Sequence, residues 1–184
     1  MRTCISTALV FSLLLACSAE EDGNGGSGGS SAGMSGGDPT VSMLTASELM
    51  ELCSDLDGTG RSLLSSNASN TCAVGALLLG KGEGSAAERQ PTCEGSFTAC
   101  VASANNPPPV QCPSSAAGCE VTEADARACV AAFAQQVNAF PAGVSCADIN
   151  DDSKVSPILT PVLEACTAVW ADDDCAALWQ TPGM

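Results

Sequence analysis

Thr122-Glu-Ala-Asp-Ala-Arg-Ala-Cys-Val-Ala-Ala-Phe-Ala-Gln-Gln-Val-Asn-Ala-Phe-Pro141 decides the fold class. Thr122 can accept a hydrogen bond from the backbone three residues on. Asp125 stands where its carboxylate can reach back and close a capping box. Cys129, Phe133, Val137 and Phe140 then recur at helical and not strand spacing. Pro141 has no N–H to donate and ends the pattern. The stretch predicts an amphipathic helix that begins after Thr122 and stops near Phe140.

The same signals extend in both directions. Leu44-Thr45-Ala46-Ser47-Glu48-Leu49 predicts a second start, with Thr45 as cap, Glu48 closing its box, and Leu44 and Leu49 as a hydrophobic staple. Leu49, Leu52, Cys53 and Leu56 would share one face of that helix. Thr71 to Leu79 predicts a short apolar helix closed by Gly80, and Thr92 to Ala102 another that carries Cys93, Phe97 and Cys100. Residues 105–118 hold Pro107, Pro108, Pro109 and Pro113 and predict an irregular loop. Thr160-Pro161 predicts a helix with proline at its first position, its inner face being Leu163, Cys166 and Trp170. Asp172, Asp173 and Asp174 would start a last short helix bearing Cys175, Leu178 and Trp179, since acids favour a helix N-terminus. Alternating apolar and polar runs are lacking. The expected fold is all-α: a small disulfide-stapled helical domain over residues 41–184.

Composition narrows the function. The 184 residues suit one domain. Acidic side chains number 21 against 6 basic ones, a formal charge of −15 that repels phosphates and disfavours nucleic acid as a partner. Histidine is absent, and with it the commonest general base and neutral nitrogen ligand for metals. Beyond the leader the only aromatic residues are Phe97, Phe133, Phe140, Trp170 and Trp179. A core short of large side chains needs other support.

Cysteine supplies it. Cys53, Cys72, Cys93, Cys100, Cys112, Cys119, Cys129, Cys146, Cys166 and Cys175 form an even set, which in an oxidising compartment predicts five disulfides of unreadable connectivity. Zinc is disfavoured because no Cys-x-x-Cys pair and no histidine occur, and a thioredoxin-like role fails on the same missing motif. No metal and no cofactor is expected.

The N-terminus predicts the compartment. Arg2 precedes an apolar run from Ile5 to Ala16, too short to span a bilayer and suited to a signal peptide. The run ends in Leu14-Leu15-Ala16-Cys17, which resembles the bacterial lipobox. That resemblance implies a signal peptide over residues 1–16, cleavage before Cys17, and diacylglyceryl attachment to the Cys17 thiol. Cys4 would be discarded with the leader. Residues 17–40 would be the lipidated cysteine and a tether of Gly, Ser and acidic residues, with a root-mean-square span of roughly 25 Å. Ser18 stands where, in enteric bacteria, an Asp resembles an inner-membrane retention signal, so the outer membrane is the expected address. Gly25-Gly26-Ser27-Gly28-Gly29 matches a hydrolase elbow in letters alone, because no strand precedes it and no histidine completes it.

Two acidic clusters resemble pieces of calcium loops. Asp55, Asp57 and Gly60 fit the first half of an EF-hand, but Ser66 stands where the bidentate acid is needed. Asp148, Asn150 and Asp152 repeat the spacing, with Ser153 and Leu159 at two required positions. Both clusters are expected to be surface turns or caps. Each follows a cysteine in a similar way, which hints at an internal duplication. Glu120 and Glu123 could be taken as paired catalytic carboxylates, but a helix start explains them better.

Taken together, the lipobox, the tether, and Cys112-Pro113 through Cys119-Glu120-Val121-Thr122 to Cys129 and Ser145-Cys146 resemble uncharacterised cysteine-rich bacterial lipoproteins. That resemblance implies an address and no activity. The expected function is a membrane-anchored extracytoplasmic lipoprotein. It would be a structural or interaction module and not an enzyme. The competing expectation is a ligand- or Ca²⁺-binding surface lipoprotein.

Overall fold

A computed structural model describes residues 38–82, 84–107, 112–172 and 174–175. The domain is all-α. Four helices carry it, α1 (Ala46–Gly82), α2 (Ala86–Ala104), α3 (Glu123–Asn138) and α4 (Asp152–Ala171), with single 3₁₀ turns at Val41–Met43 and Cys146–Asp148. No strand occurs among the described residues, where the only β pairing is an isolated antiparallel bridge between Thr40 and Thr122.

A reciprocal capping box of the kind the sequence predicts sets the starts of α1 and α3. Thr45 Oγ1 accepts from the Glu48 N–H at 3.3 Å and Glu48 Oε2 accepts from the Thr45 N–H at 2.8 Å. Thr122 and Asp125 close the same reciprocal box on α3. Such a cap typically contributes about 1 kcal/mol, a large increment for a domain with so few big apolar residues.

α1 is a 37-residue element in which the two helices the sequence predicts meet at a kink. Only Asn67 breaks it, with φ −153° and ψ 55°. The break follows from the side chains around it. Ser65 and Ser66 both donate to the Ser62 carbonyl, and Thr71 donates to the Asn67 carbonyl, so hydroxyls compete with amides for the helix acceptors. Gly80 does not close the helix as expected. It is buried inside α1, which runs on to Gly82.

The start expected at Thr160 is corrected. α4 begins at Asp152, nine residues before the predicted first position at Pro161, capped by the Asp151 carboxylate, which accepts from the Ser153 N–H at 3.1 Å. Pro157 and Pro161 lie inside it. They are four residues apart and neither is buried, so the acceptors they leave unpaired fall on one face that water can reach. The inner face is also shifted. Val155, Ile158, Leu159, Val162, Cys166 and Val169 are buried, whereas Leu163 and Trp170 are 42% and 40% exposed. α2 likewise starts before its predicted Thr92, at Ala86, and carries Pro91 in its second turn. Residues 105–118 contain no helix where they are described.

Two main cores and a smaller cluster of Leu64, Cys72 and Cys100 fill the bundle. The first joins Leu49, Leu52 and Leu56 of α1 to Ala126 and Cys129 of α3 and to Val162, Cys166 and Val169 of α4. The second joins Leu63, Val74 and Leu77 of α1 to Cys93 of α2, Val137 of α3, Ile149, and Val155 to Leu159 of α4. Phe133, midway along α3, packs against both. Domain packing begins slightly before the boundary read from the sequence. The Pro39 carbonyl accepts from the Glu123 N–H, and the Val41 N–H donates to the Val121 carbonyl at 2.8 Å.

Candidate functional site

The cysteines come first, because they set what every other group can do. All ten in the domain are paired: Cys53–Cys112, Cys72–Cys100, Cys93–Cys146, Cys119–Cys175 and Cys129–Cys166. The pattern is ordered. Cys72–Cys100 is nested within Cys53–Cys112, and Cys129–Cys166 within Cys119–Cys175. Cys93–Cys146 alone spans the two nests. Two of the bridges clamp helix pairs directly, α1 to α2 and α3 to α4. Cys17, the expected lipid acceptor, lies outside the described residues, as do Leu178 and Trp179.

The first acidic cluster is neither turn nor cap, whereas the second is the turn and cap the sequence predicts. Asp55, Asp57, Gly58 and Gly60 are all within α1, so the first calcium-like segment is a straight helix and neither turn nor cap. A calcium shell needs its ligands wrapped around one point, and helical geometry instead sends Asp55 and Asp57 to different faces. Each already has a cation: Asp57 pairs with Arg61 at 2.7 Å, and Asp55 with Arg127 at 3.1 Å. Asp148 belongs to a cap, accepting from the Ser145 N–H at 3.0 Å. Calorimetry with calcium should therefore show no saturable submillimolar binding that Asp57→Ala removes. Such binding would mean that α1 unwinds to make a site.

The two cysteine-linked echoes also diverge. Cys53 to Asp57 is mid-helix, whereas Cys146 to Asn150 is a 3₁₀ turn followed by a bend in the chain. Their likeness in sequence therefore does not extend to conformation.

Electrostatics gives the exposed carboxylates structural work. Hydrogen bonds from Thr45 hold the Glu48 carboxyl below the usual carboxylate range. The Lys154 ammonium, followed by the Ser145 backbone, does the same to Asp148. Lys81 lowers Asp152. Glu123 is bound to Arg127 at 2.7 Å, and that contact, with Asp55 second, raises the guanidinium further. A general acid needs a carboxyl raised toward neutrality, and these shifts run the other way. Glu120 is exposed and its N–H donates to the Asp172 carboxylate at 2.9 Å, which ties the start of α3 to the end of α4. Asp172 also lies beside Cys119 and Cys175. That trio would suit a metal only if both sulfurs were thiolates, and they are joined to each other.

One concave surface stands out. A groove of about 740 Å³ opens between the second half of α1, the middle of α2 and the segment after α3. Leu77 and Ala73 come from α1, Phe97 and Glu94 from α2, and Phe140 to Ala147 form the third wall. The Cys93–Cys146 bridge fastens that third wall to α2. Its size falls within the usual range for ligand sites.

The chain matches no protein-family model, no curated protein and no solved structure. The groove and the disulfide pattern are therefore read from their own chemistry. Sequence reasoning missed the groove entirely. Its one available signal was Phe140-Pro141-Ala142-Gly143, a non-helical segment with an aromatic residue at its head, followed closely by Cys146.

Proposed function

We propose that this chain is a membrane-anchored extracytoplasmic lipoprotein, whose stapled helical domain is a non-catalytic structural or interaction module. The observation that carries the reading is one of parity. Twelve cysteines occur, and ten of them, all within the domain, pair with one another. Only Cys4 and Cys17 are left over. Cys17 ends an apolar leader in lipobox context, so an acyl chain is its natural partner. Two or three such chains, at about 0.8 kcal/mol per buried CH₂, make the attachment stable. Five disulfides also favour an oxidising compartment. Ser18 and the Gly/Ser-rich stretch after it favour an outer-membrane address with the domain held off the bilayer. Among the described residues no helix is long and apolar enough to cross a membrane, so membrane attachment would rest on the lipid.

The acidic side chains support the non-catalytic part, since those with shifted acidity serve caps and ion pairs. The groove favours a second reading, a ligand-binding lipoprotein on the same anchor.

Cys17→Ser should abolish incorporation of labelled palmitate and leave full-length precursor. Equal labelling of the variant and the native chain would refute the anchor.

A further inference from the structure

We propose that the groove between α1, α2 and the Phe140–Ala147 segment is a binding site for an organic cation with an apolar body. The inference depends on neither the lipid anchor nor the compartment.

Aromatic residues are scarce in this chain, yet two of the domain's three phenylalanines, Phe97 and Phe140, line this one groove. Both are half-buried, above a floor that includes the buried Leu77. An apolar body therefore has surface to cover, and ring faces attract cations as well.

Three of the polar side chains around it have already used a donor within the protein. Asn70 gives its Nδ2 to the Val137 carbonyl at 3.2 Å, which leaves an amide oxygen. Thr98 donates its hydroxyl to the Glu94 carbonyl at 2.8 Å. Ser145 donates its hydroxyl to Asp148 at 3.2 Å. Thr98 and Ser145 can then offer a ligand only lone pairs, and Asn70 its amide oxygen and one remaining N–H. Glu94 is the only charged residue in the lining, and no lysine or arginine faces it there. Gln90 donates to its Oε1 at 2.8 Å, and Oε2 remains for a ligand. A ligand that satisfies this set brings donors and positive charge. An anion would meet Glu94 and the field of a chain at −15.

The walls are held before any ligand arrives. Cys93–Cys146 joins α2 to the third wall, and Cys72–Cys100 joins α1 to α2. Little ordering entropy is then charged to binding.

Titration calorimetry on the purified, oxidised full-length chain tests this with 4-phenylbutylammonium against 4-phenylbutyrate, nearly the same body with opposite charge. The expected result is saturable 1:1 binding of the cation, at about millimolar Kd for so small a probe. The anion should not bind in the same range. Glu94→Gln removes the charge without changing the shape and should weaken the cation by about fivefold or more, as for a part-exposed charge contact. Glu51→Gln changes net charge equally at an exposed position on the first turns of α1 and should leave the Kd within about twofold. Three outcomes would overturn the proposal: no saturable cation binding, equal binding of the anion, or equal weakening by the two Gln variants.

Discussion

Reducing all five disulfides should abolish cooperative folding of the domain at ordinary temperature. The bridges close loops whose sequence separations are 59, 28, 53, 56 and 37 residues. By the chain-entropy relation each restricts the unfolded state by roughly 3.5–4 kcal/mol, and measured native bridges are commonly worth about 2–5. Even after discounting for overlap between nested loops, the sum exceeds the whole net stability of a typical domain, about 5–15 kcal/mol. The cores cannot take up the loss. Their largest fully buried side chains are Leu49, Leu52, Leu77, Ile149 and Leu159, with valine and cysteine making up most of the remainder. Access should order the reduction. Cys112 and Cys146 are only half-buried, whereas the other eight cysteines are buried. A thiolate must reach a sulfur to attack it, so Cys53–Cys112 and Cys93–Cys146 should open first. Alkylation under denaturing, non-reducing conditions should find no free thiol among the ten. Circular dichroism should lose its sigmoidal melt once they are all reduced. A reduced chain that kept that melt within a few degrees of the oxidised one would show that the apolar contacts suffice.

Gly80→Ala should destabilise the domain by about 1–3 kcal/mol, the usual range for overpacking, although alanine is the better helix former by nearly 1 kcal/mol. The sign reverses because of what a Cβ would meet. It would fall 2.7 Å from the Arg89 carbonyl oxygen and 2.9 Å from Cys93 Cβ, and would also collide with Ile149 Cδ1. The first is backbone of α2 and the second is held by a disulfide to Cys146, so neither can easily give way. Gly58→Ala and Gly60→Ala are the internal controls. A Cβ at either meets nothing within 4 Å, and both lie inside α1, so each should gain about 0.5–1 kcal/mol. Denaturant melts of the three variants check the contrast. A Gly80→Ala protein as stable as the Gly58→Ala protein would mean that α1 and α2 can separate at that crossing at no cost.

How far the sequence could be read follows from which signals are local. Thr45 with Glu48, and Thr122 with Asp125, announce their own helix starts, because both partners of each cap lie within four residues. The α3 stripe is legible for the same reason, and so is the all-α class. Tertiary packing hid the rest. Thr160-Pro161 looks like a beginning, yet Val155, Ile158 and Leu159 bury enough apolar surface to carry α4 through both prolines. Gly80 looks like a stop, and its absent side chain instead makes room for α2. Asp55 to Gly60 looks like a turn, but the buried Leu52, Cys53, Leu56 and Leu63 on either side hold it helical. The cysteine count gave the number of bridges. Their partners depend on helices meeting across 28 to 59 residues, which spacing alone does not encode. The groove likewise arises where three distant segments converge, and no single one of them announces it.

The nesting of the disulfides makes the molecule two parcels with one knot between them. Cys53, Cys72, Cys100 and Cys112 close the first parcel, and Cys119, Cys129, Cys166 and Cys175 close the second. The peptide strand joining them, from residue 113 to 118, is their only continuous link in sequence, and Cys93–Cys146 is their only covalent crossing. A protease that severed that strand would leave two pieces, each still tied within itself, joined covalently by a single sulfur–sulfur bond and otherwise by the apolar contacts of α1 with α3 and α4. Breaking that bond in the clipped molecule would leave only those apolar contacts to hold the two pieces together. In the intact molecule the same event would only loosen one wall of the groove.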